Sequence, residues 1–368
     1  MRDYFAPGRI NLIGEHIDYN GGKVLPAAIS MGITASVTQR NDGFVFLSSD
    51  SHVKTLQQKL IGEMLYNKEN DWLNYPLGVM NYLKEKDFQL PQLNIHYEST
   101  LPEGSGLSSS AAMEVLTMYL LLEEMKANIS RPEIALWCKQ VENKFIGVQC
   151  GIMDQFVIAN AKQNHAMLLD CSTLEHEFIP IDFGEYDLVV LNTKKPRNLI
   201  HSKYNERKAE CEAALNGINK KRNADSIQHL CAANIQQLEF IKDEVLKKRA
   251  HHVITENERV DEAVAALKSK NMIAFGKLLT ESHQSLKHDY EVSGFELDTL
   301  VDAAIQTKGC IGARMTGAGF GGCAIALVEK TKAEFFEEKV LKQYKAKTGI
   351  EGEMHPCYVS EGVSLLPE

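Results

Sequence analysis

The sequence predicts an α+β protein of two domains, and three observations carry that reading. The chain has 368 residues, more than a single core of ordinary size needs. Its first half runs from alternating strands through a glycine-serine loop into a nearly all-apolar helix. Its second half orders its elements as strand, helix, strand, strand, helix, strand, with extra helices inserted, which is a ferredoxin-like succession.

The elements follow from local chemistry. Ile29, Met31, Ile33, Ala35 and Val37 alternate with small or polar residues, the pattern of a half-buried strand. Asn41-Asp42-Gly43 is a hairpin-turn signal, so Phe44-Val45-Phe46-Leu47 is expected to return beside it. Leu93, Ile95 and Tyr97 form a further strand that feeds the loop Leu101-Pro-Glu-Gly104-Ser105-Gly106-Leu107-Ser108-Ser109-Ser110-Ala111-Ala112. Ala111 to Met125 follows as a buried helix. Ser130-Arg131-Pro132-Glu133 caps the next helix, which carries Ile134, Trp137, Val141 and Phe145 on one face and ends near Gly147. A strand at Ala166–Leu169 precedes a domain boundary placed near residues 172–185. Tyr186 to Leu191 opens the second domain. A charged helical region then spans Ser202 to Leu286, with breaks near Asn223 and Asn271. The chain closes with a helix (Glu296–Thr307), strands (Ala313–Thr316 and Cys323–Val328), a helix (Lys332–Lys347) and a strand (Met354–Val359).

Composition excludes several classes. A formal charge of −9 argues against a nucleic-acid binder. The basic runs Lys220-Lys221-Arg222 and Lys247-Lys248-Arg249 lie among acids and read as solvated helix faces. No apolar run reaches membrane-spanning length, and no signal peptide opens the chain. The eight cysteines contain no C-x-x-C pair, so reduced thiols are expected, with Cys138, Cys171 and Cys323 acting as small core hydrophobes.

Some motifs mislead. Gly317-Ala-Gly319-Phe-Gly-Gly322 spells a dinucleotide fingerprint, but it joins two strands where that fingerprint must open a helix. Asp182-Phe183-Gly184 precedes the Gly317–Gly322 run and has no H-R-D sequence to go with it, so it reads as chance. The loop at Gly104 lacks the lysine of a Walker loop. His251-His252 has no third ligand at metal spacing and reads as surface.

Three constellations remain. Gly104 to Ala112 opens onto a helix start with no acid between Glu103 and Glu114, and unpaired N–H groups there attract phosphate; a simple N-cap is the plain alternative. Glu15, His16 and Asp18, bracketed by Gly14 and Gly21-Gly22, can hydrogen-bond the hydroxyls of a small polyol, or form a polar turn. Asp154 stands between Met153 and Phe156, either as a helix cap or as a partly buried general base.

Together these segments resemble the galactokinases of the GHMP small-molecule kinase family. The resemblance rests on Gly8–Tyr19, Gly104–Ala112, Gly151–Phe156, Ser202–Arg207 and Arg314–Gly322, and spans nearly the whole chain. It implies a ribosomal-protein-like first domain, residues 1–175, and a ferredoxin-like second, residues 176–368, with the active site between them. It implies ATP-dependent phosphorylation of the C1 hydroxyl of galactose, with Mg2+, by a cytoplasmic monomer with neither nucleic-acid nor membrane partner. The roles it implies put Arg9 and Asp154 at the C1 hydroxyl, with Asp154 taking its proton. Glu15, His16, Asp18, Gly151 and Tyr204 hold the other hydroxyls. Gly104, Ser105, Gly106, Leu107, Ser108, Ser109 and Ser110 wrap the ATP phosphates, Ser110 and Glu142 hold the metal, and Trp72 borders the adenine. Read without the resemblance, Glu142 is an exposed helical acid. Ile17 and Val24-Leu25-Pro26 lean toward a sister N-acetylgalactosamine kinase, whereas Gly151–Phe156 leans toward galactose. A non-catalytic galactose and ATP sensor is the remaining alternative, against which the complete Ser108–Ala112 stretch speaks. Such kinases carry a longer segment before Phe5, so the strand bearing Arg9 is expected to fray at its start.

Overall fold

The computed structural model describes every residue except 103, 196–199, 223–224 and 368. The first half supplies β1 (Arg2–Asn11), β2 (Lys23–Val24), β3 (Pro26–Gln39), β4 (Phe44–Ser49), β5 (Leu56–Lys59), α1 (Asn74–Glu85), β6 (Leu93–Ser99), α2 (Ser109–Glu124), α3 (Arg131–Val141), α4 (Met153–Asn160), β7 (His165–Asp170) and β8 (His176–Pro180). The second half supplies β9 (Tyr186–Asn192), α5 (Ile200–Asn219), α6 (Glu244–Lys268), α7 (Met272–Ser285), α8 (Phe295–Gln306), β10 (Cys310–Thr316), β11 (Cys323–Glu329), α9 (Ala333–Thr348), β12 (Glu353–Cys357) and β13 (Ser364–Leu365).

A six-stranded sheet orders β13-β1-β3-β6-β4-β5, and α2 and α4 pack on β1. The expected hairpin between β3 and β4 does not form. β6 inserts between them, antiparallel to β3 and parallel to β4, because its Leu93, Ile95 and Tyr97 need apolar neighbours on both sides. The turn signal is still used: Gly43 has φ +85°, and Arg40 pairs with Asp42 across the bend. β1 is paired to β3 from Arg2 onward, so the expected fraying is not seen. Its register shifts between Pro7 and Arg9, where a bulge redirects Arg9 toward the glycine-serine loop.

The second sheet, β10-β11-β9-β12, is antiparallel throughout, and with α8 and α9 it realises the ferredoxin-like order; α5, α6 and α7 are the insertion. Asn271 caps α7 through Ala274 N at 3.1 Å, where the sequence predicts a break. The break predicted near Asn223 lies outside the described residues. A small sheet, β2-β7-β8, spans the expected boundary, since β8 pairs antiparallel with β7 across residue 175. The chain end then returns to the first sheet: Val359 bridges Ile29, and β13 pairs with β1 at Tyr4 and Phe5.

Two surface readings are overturned. His252 and Arg249 are buried because α6 is packed between α5 and α7 rather than lying on water. Arg249 donates to Glu210 at 2.8 Å, to Glu291 at 2.7 Å and to the Asp289 carbonyl at 2.6 Å, so its charge is fully partnered. His251 beside it stays half-exposed against Asp289.

Candidate active site

The bulge at Gly8 sets the floor of the site. A side chain there would meet the Leu107 carbonyl at 2.8 Å, and the Arg9 N–H donates to that same carbonyl at 3.1 Å. β1 and the glycine-serine loop are thereby stitched together. The Arg9 side chain donates from Nε to Asp154 Oδ1 at 2.8 Å, from Nη2 to Asp154 Oδ2 at 2.7 Å and from Nη1 to the Gly106 carbonyl at 2.7 Å. This fork fixes the carboxylate in both distance and plane. Asp154 lies in the first turn of α4 without capping it, and its side chain remains partly open to the cleft.

The loop is no ordinary cap. Ser108 stands at the N-cap of α2 with φ +63°, yet its hydroxyl makes no capping bond and donates instead to Asp154 Oδ2. No capping side chain therefore blocks the first amides of α2, and they face a cleft of about 890 Å³ lined by Gly104, Gly106, Ser108, Ser109 and Ser110. Ser105 and Leu107 lie buried behind that lining. Opposite stands the Gly317-Ala318 turn between β10 and β11, packed so closely that a side chain on Gly317 would meet the Gly106 carbonyl at 2.9 Å. Gly317 and Ala318 thus belong to the cleft, a position the strand-to-strand reading of the glycine run did not supply. Lys68 also lines the cleft, and nothing in Lys68-Glu-Asn-Asp marks it in the sequence.

Glu15, His16, Asp18, Gly151 and Tyr204 line the other end of the cleft. Arg314, fully buried, donates to Glu15 Oε2 at 2.8 Å, while burial lifts the Glu15 carboxyl to about 7. Burial and the nearby Asp154 raise Asp18 to about 6. Any side chain on Gly151 would fall onto Asp18 Oδ2, so only glycine admits that approach. His16 Nε2 faces the Ala318 carbonyl at 3.2 Å and must donate to it, which leaves Nδ1 to accept from the Tyr19 hydroxyl at 2.9 Å. Burial lowers His16 to about 3, consistent with that neutral tautomer. Both ring nitrogens are thus occupied by the protein, and a hydroxyl could reach one only by displacing a partner. The Tyr204 ring packs 5.8 Å from His16 and 5.1 Å from Tyr19.

Glu142 is only 8 % exposed, contrary to the plain helical reading. α3 passes into a π turn over Glu142–Ile146, closed by Gly147 at φ +89°, and Glu142 itself lies in line with the buried Ala135 and Cys138 on the inner face of α3. The Ser110 hydroxyl donates to Glu142 Oε1 at 3.5 Å, the long end of a hydrogen bond, and Gln155 Nε2 bridges Glu142 and Glu114. Burial raises Glu142 to about 7, and raises the fully buried Glu114 well above the carboxylate range. Glu114 Oε1 has no protein partner. Two buried acids behind the loop, whose hydrogen-bond partners among the described residues are the neutral Ser110, Cys150 and Gln155, suit a divalent ion bound at Ser110 and Glu142. Trp72 lies outside the main cleft. It is 5 % exposed, stacked 5.6 Å from His52, and lines a side pocket of about 120 Å³ that shares Tyr75, Ser109 and Ser110 with the cleft.

The comparisons agree with this architecture. Residues 74–162 match the GHMP kinases N terminal domain and residues 263–346 the GHMP kinases C terminal domain, so the fold and its cleft define a GHMP kinase. Residues 3–39 match the galactokinase galactose-binding signature. The chain is 46% identical over 365 residues to the galactokinase of Staphylococcus saprophyticus, covering 98% of this chain and 95% of that protein. It is 45% identical to that of Staphylococcus carnosus, covering 98% and 94%. The crystal structure of Lactococcus lactis galactokinase complexed with galactose superposes with a TM-score of 0.94 at 40% identity, covering 99% of this chain and 95% of that one. The chain belongs to the galactokinase family. Methanococcus jannaschii mevalonate kinase, at 23% identity and a TM-score of 0.67, shares the fold alone. No described helix is long and apolar enough to cross a membrane.

Proposed function

We propose that the chain transfers the γ-phosphoryl group of ATP to the C1 hydroxyl of galactose. The observation that carries this reading is the Arg9–Asp154–Ser108 cluster, set between an anion-binding helix start and a carboxylate-rich sugar end within one cleft. Asp154 accepts the C1 proton; with Arg9 and Ser108 donating to it, a lone pair remains for the sugar. Arg9 holds that carboxylate in place and offsets charge on the phosphoryl group in transit. Glu15 and Asp18 accept from the remaining hydroxyls, Gly151 leaves them room, and His16 and Tyr204 shape the wall. Gly104 to Ser110 hold the phosphates, and the Trp72 pocket takes the adenine. Ser110 and Glu142 would hold Mg2+, which would supply the charge neutralisation of the phosphates that a Walker lysine gives elsewhere. The division near residue 175 reads as two lobes, with the β7–β8 hairpin and the returning chain end belonging to the first.

A coupled assay for ADP release, run with galactose and with N-acetylgalactosamine, tests the proposal. Galactose should give the higher kcat/KM, with galactose 1-phosphate as product by phosphorus NMR. Faster turnover of N-acetylgalactosamine would reassign the substrate. ATP binding without ADP release on any sugar would instead mark a sensor.

A further inference from the structure

The turn that carries the sugar-facing acids is held from far away in the chain. Gly14 has φ +97°, and a side chain there would meet the Lys23 carbonyl at 2.8 Å and Val260 Cγ2 at 3.0 Å. In this tight turn the N–H groups of Gly14 and Glu15 point the same way. Both donate to one atom, Glu256 Oε1, at 2.9 and 3.1 Å. Glu256 lies on α6 and is fully buried. Its Oε1 also accepts from the Ser282 hydroxyl at 2.7 Å, and its Oε2 accepts from Arg259 Nε at 2.8 Å. Burial alone would push this carboxyl up, but Arg259, His252 and Arg314 bring it down to about 2, so the acceptor is a carboxylate. The same stripe of α6 makes two further bonds to the segment. His252 Nε2 donates to the Glu15 carbonyl at 3.0 Å, and Asn257 Oδ1 accepts from the Lys23 N–H at 2.9 Å. Residues 252, 256, 257 and 260 fall on one helical face, so a single rigid element grips the turn at both ends.

We infer that Glu256 is a positioning residue for sugar recognition, fixing from α6 the backbone of the Gly14–Glu15 turn and so the direction in which Glu15 and Asp18 meet the sugar. This inference rests on the proposed galactose site. Glu256 touches no substrate atom; it acts through the two backbone N–H groups.

Glu256→Gln keeps the shape but exchanges one acceptor oxygen for a donor, so either the turn or Arg259 loses its partner. In the full-length protein, galactose KM and the calorimetric Kd for galactose should each rise ~10-fold or more, with ATP KM held within ~2-fold. Asn257→Ala, which buries no unpaired charge, should raise the galactose Kd roughly 3-fold. Asp261→Ala, also on α6, removes only an exposed pair with Lys23 of β2 and should change neither constant. A folded Glu256→Gln protein with unchanged galactose KM and Kd overturns the inference, as does an equal rise in ATP KM. If Glu256→Gln does not fold, Asn257→Ala decides, and an unchanged galactose Kd overturns it. Failure of the unmodified protein to bind galactose would sink the substrate reading instead, and that arm is measured first.

Discussion

Asp154 owes its position to residues far from it in sequence: Arg9, 145 positions earlier, and Ser108, 46 earlier. Asp154→Asn should leave the fold intact and lower kcat by ~10²- to 10⁴-fold, because the amide keeps the shape but accepts no proton. Arg9→Ala should cost comparably, and wild-type-like turnover in either variant would remove that residue from the proposed chemistry. Glu142 makes a pH-dependent case. Its carboxyl sits at about 7 in the fold against 4.5 unperturbed, with burial as the main cause. Since the folded value is raised, its contribution to stability is intact below pH 4.5 and lost as pH rises through 7. In metal-free protein, Glu142→Gln should therefore stabilise the fold at pH 8 by up to about 3 kcal/mol and change little at pH 4.5. Denaturant melts at both pH values with chelator present measure this, and a larger gain at the lower pH would reverse the assignment. Magnesium with nucleotide should raise the Tm of the unmodified protein at pH 8 and much less that of the variant.

At the scale of elements, α2 does two jobs with different residues. Its first turn faces the cleft, while the rest is mostly apolar and, Glu114 and the C-terminal Glu123 and Glu124 aside, packs against β1, α1 and α3. The two are separable. Leu116 is fully buried, so Leu116→Ala should destabilise by roughly 2–5 kcal/mol and lower Tm while leaving ATP KM unchanged. A shift in ATP KM as large as the loss of stability would show that the loop depends on core packing along the helix. α3 is a second example: Glu142 continues the buried stripe of Ala135 and Cys138, so one helical face carries both core side chains and an acid that lines up with the loop.

Across the whole molecule, the second half of the chain reaches the acid cluster of the first. Arg314 on β10 donates to the Asn11 and Leu12 carbonyls at 3.1 and 2.9 Å and to Glu15 Oε2 at 2.8 Å. Replacing one partner of a buried pair leaves the other charge uncompensated. Arg314→Ala should therefore cost roughly 3–5 kcal/mol in urea unfolding. Part of that loss should be recovered in the double variant Arg314→Ala, Glu15→Gln, which removes the stranded carboxylate. A double variant less stable than the single one would mean that Glu15 is held mainly by other contacts.

Most elements were legible because their causes are local. The alternation in β3, the Ser130 cap of α3 and the nearly all-apolar run of α2 each act over a few residues, and each stands where the sequence predicts. The cluster Glu15-His16-Asp18, the glycine-serine loop and Asp154 were legible too, since polar groups between glycines or inside apolar runs stand out by contrast. What failed was everything that depends on a distant partner. The turn at Asn41-Asp42-Gly43 announces a bend but cannot say that β6 will occupy the space beside β3. His252 and Arg249 look solvated until α5 and α7 close around α6. Trp72 was assigned to the nucleotide site without any hint that a separate pocket would hold it. By itself the sequence determined the elements, their succession along the second half and the chemical character of the two ends of the cleft, because propensity, capping and side-chain type are properties of short segments. Only the tertiary structure decided which strands are neighbours, which acids are buried, and that a carboxylate on α6 orients the Gly14–Glu15 turn, because burial and long-range hydrogen bonds arise when segments hundreds of residues apart displace the same water.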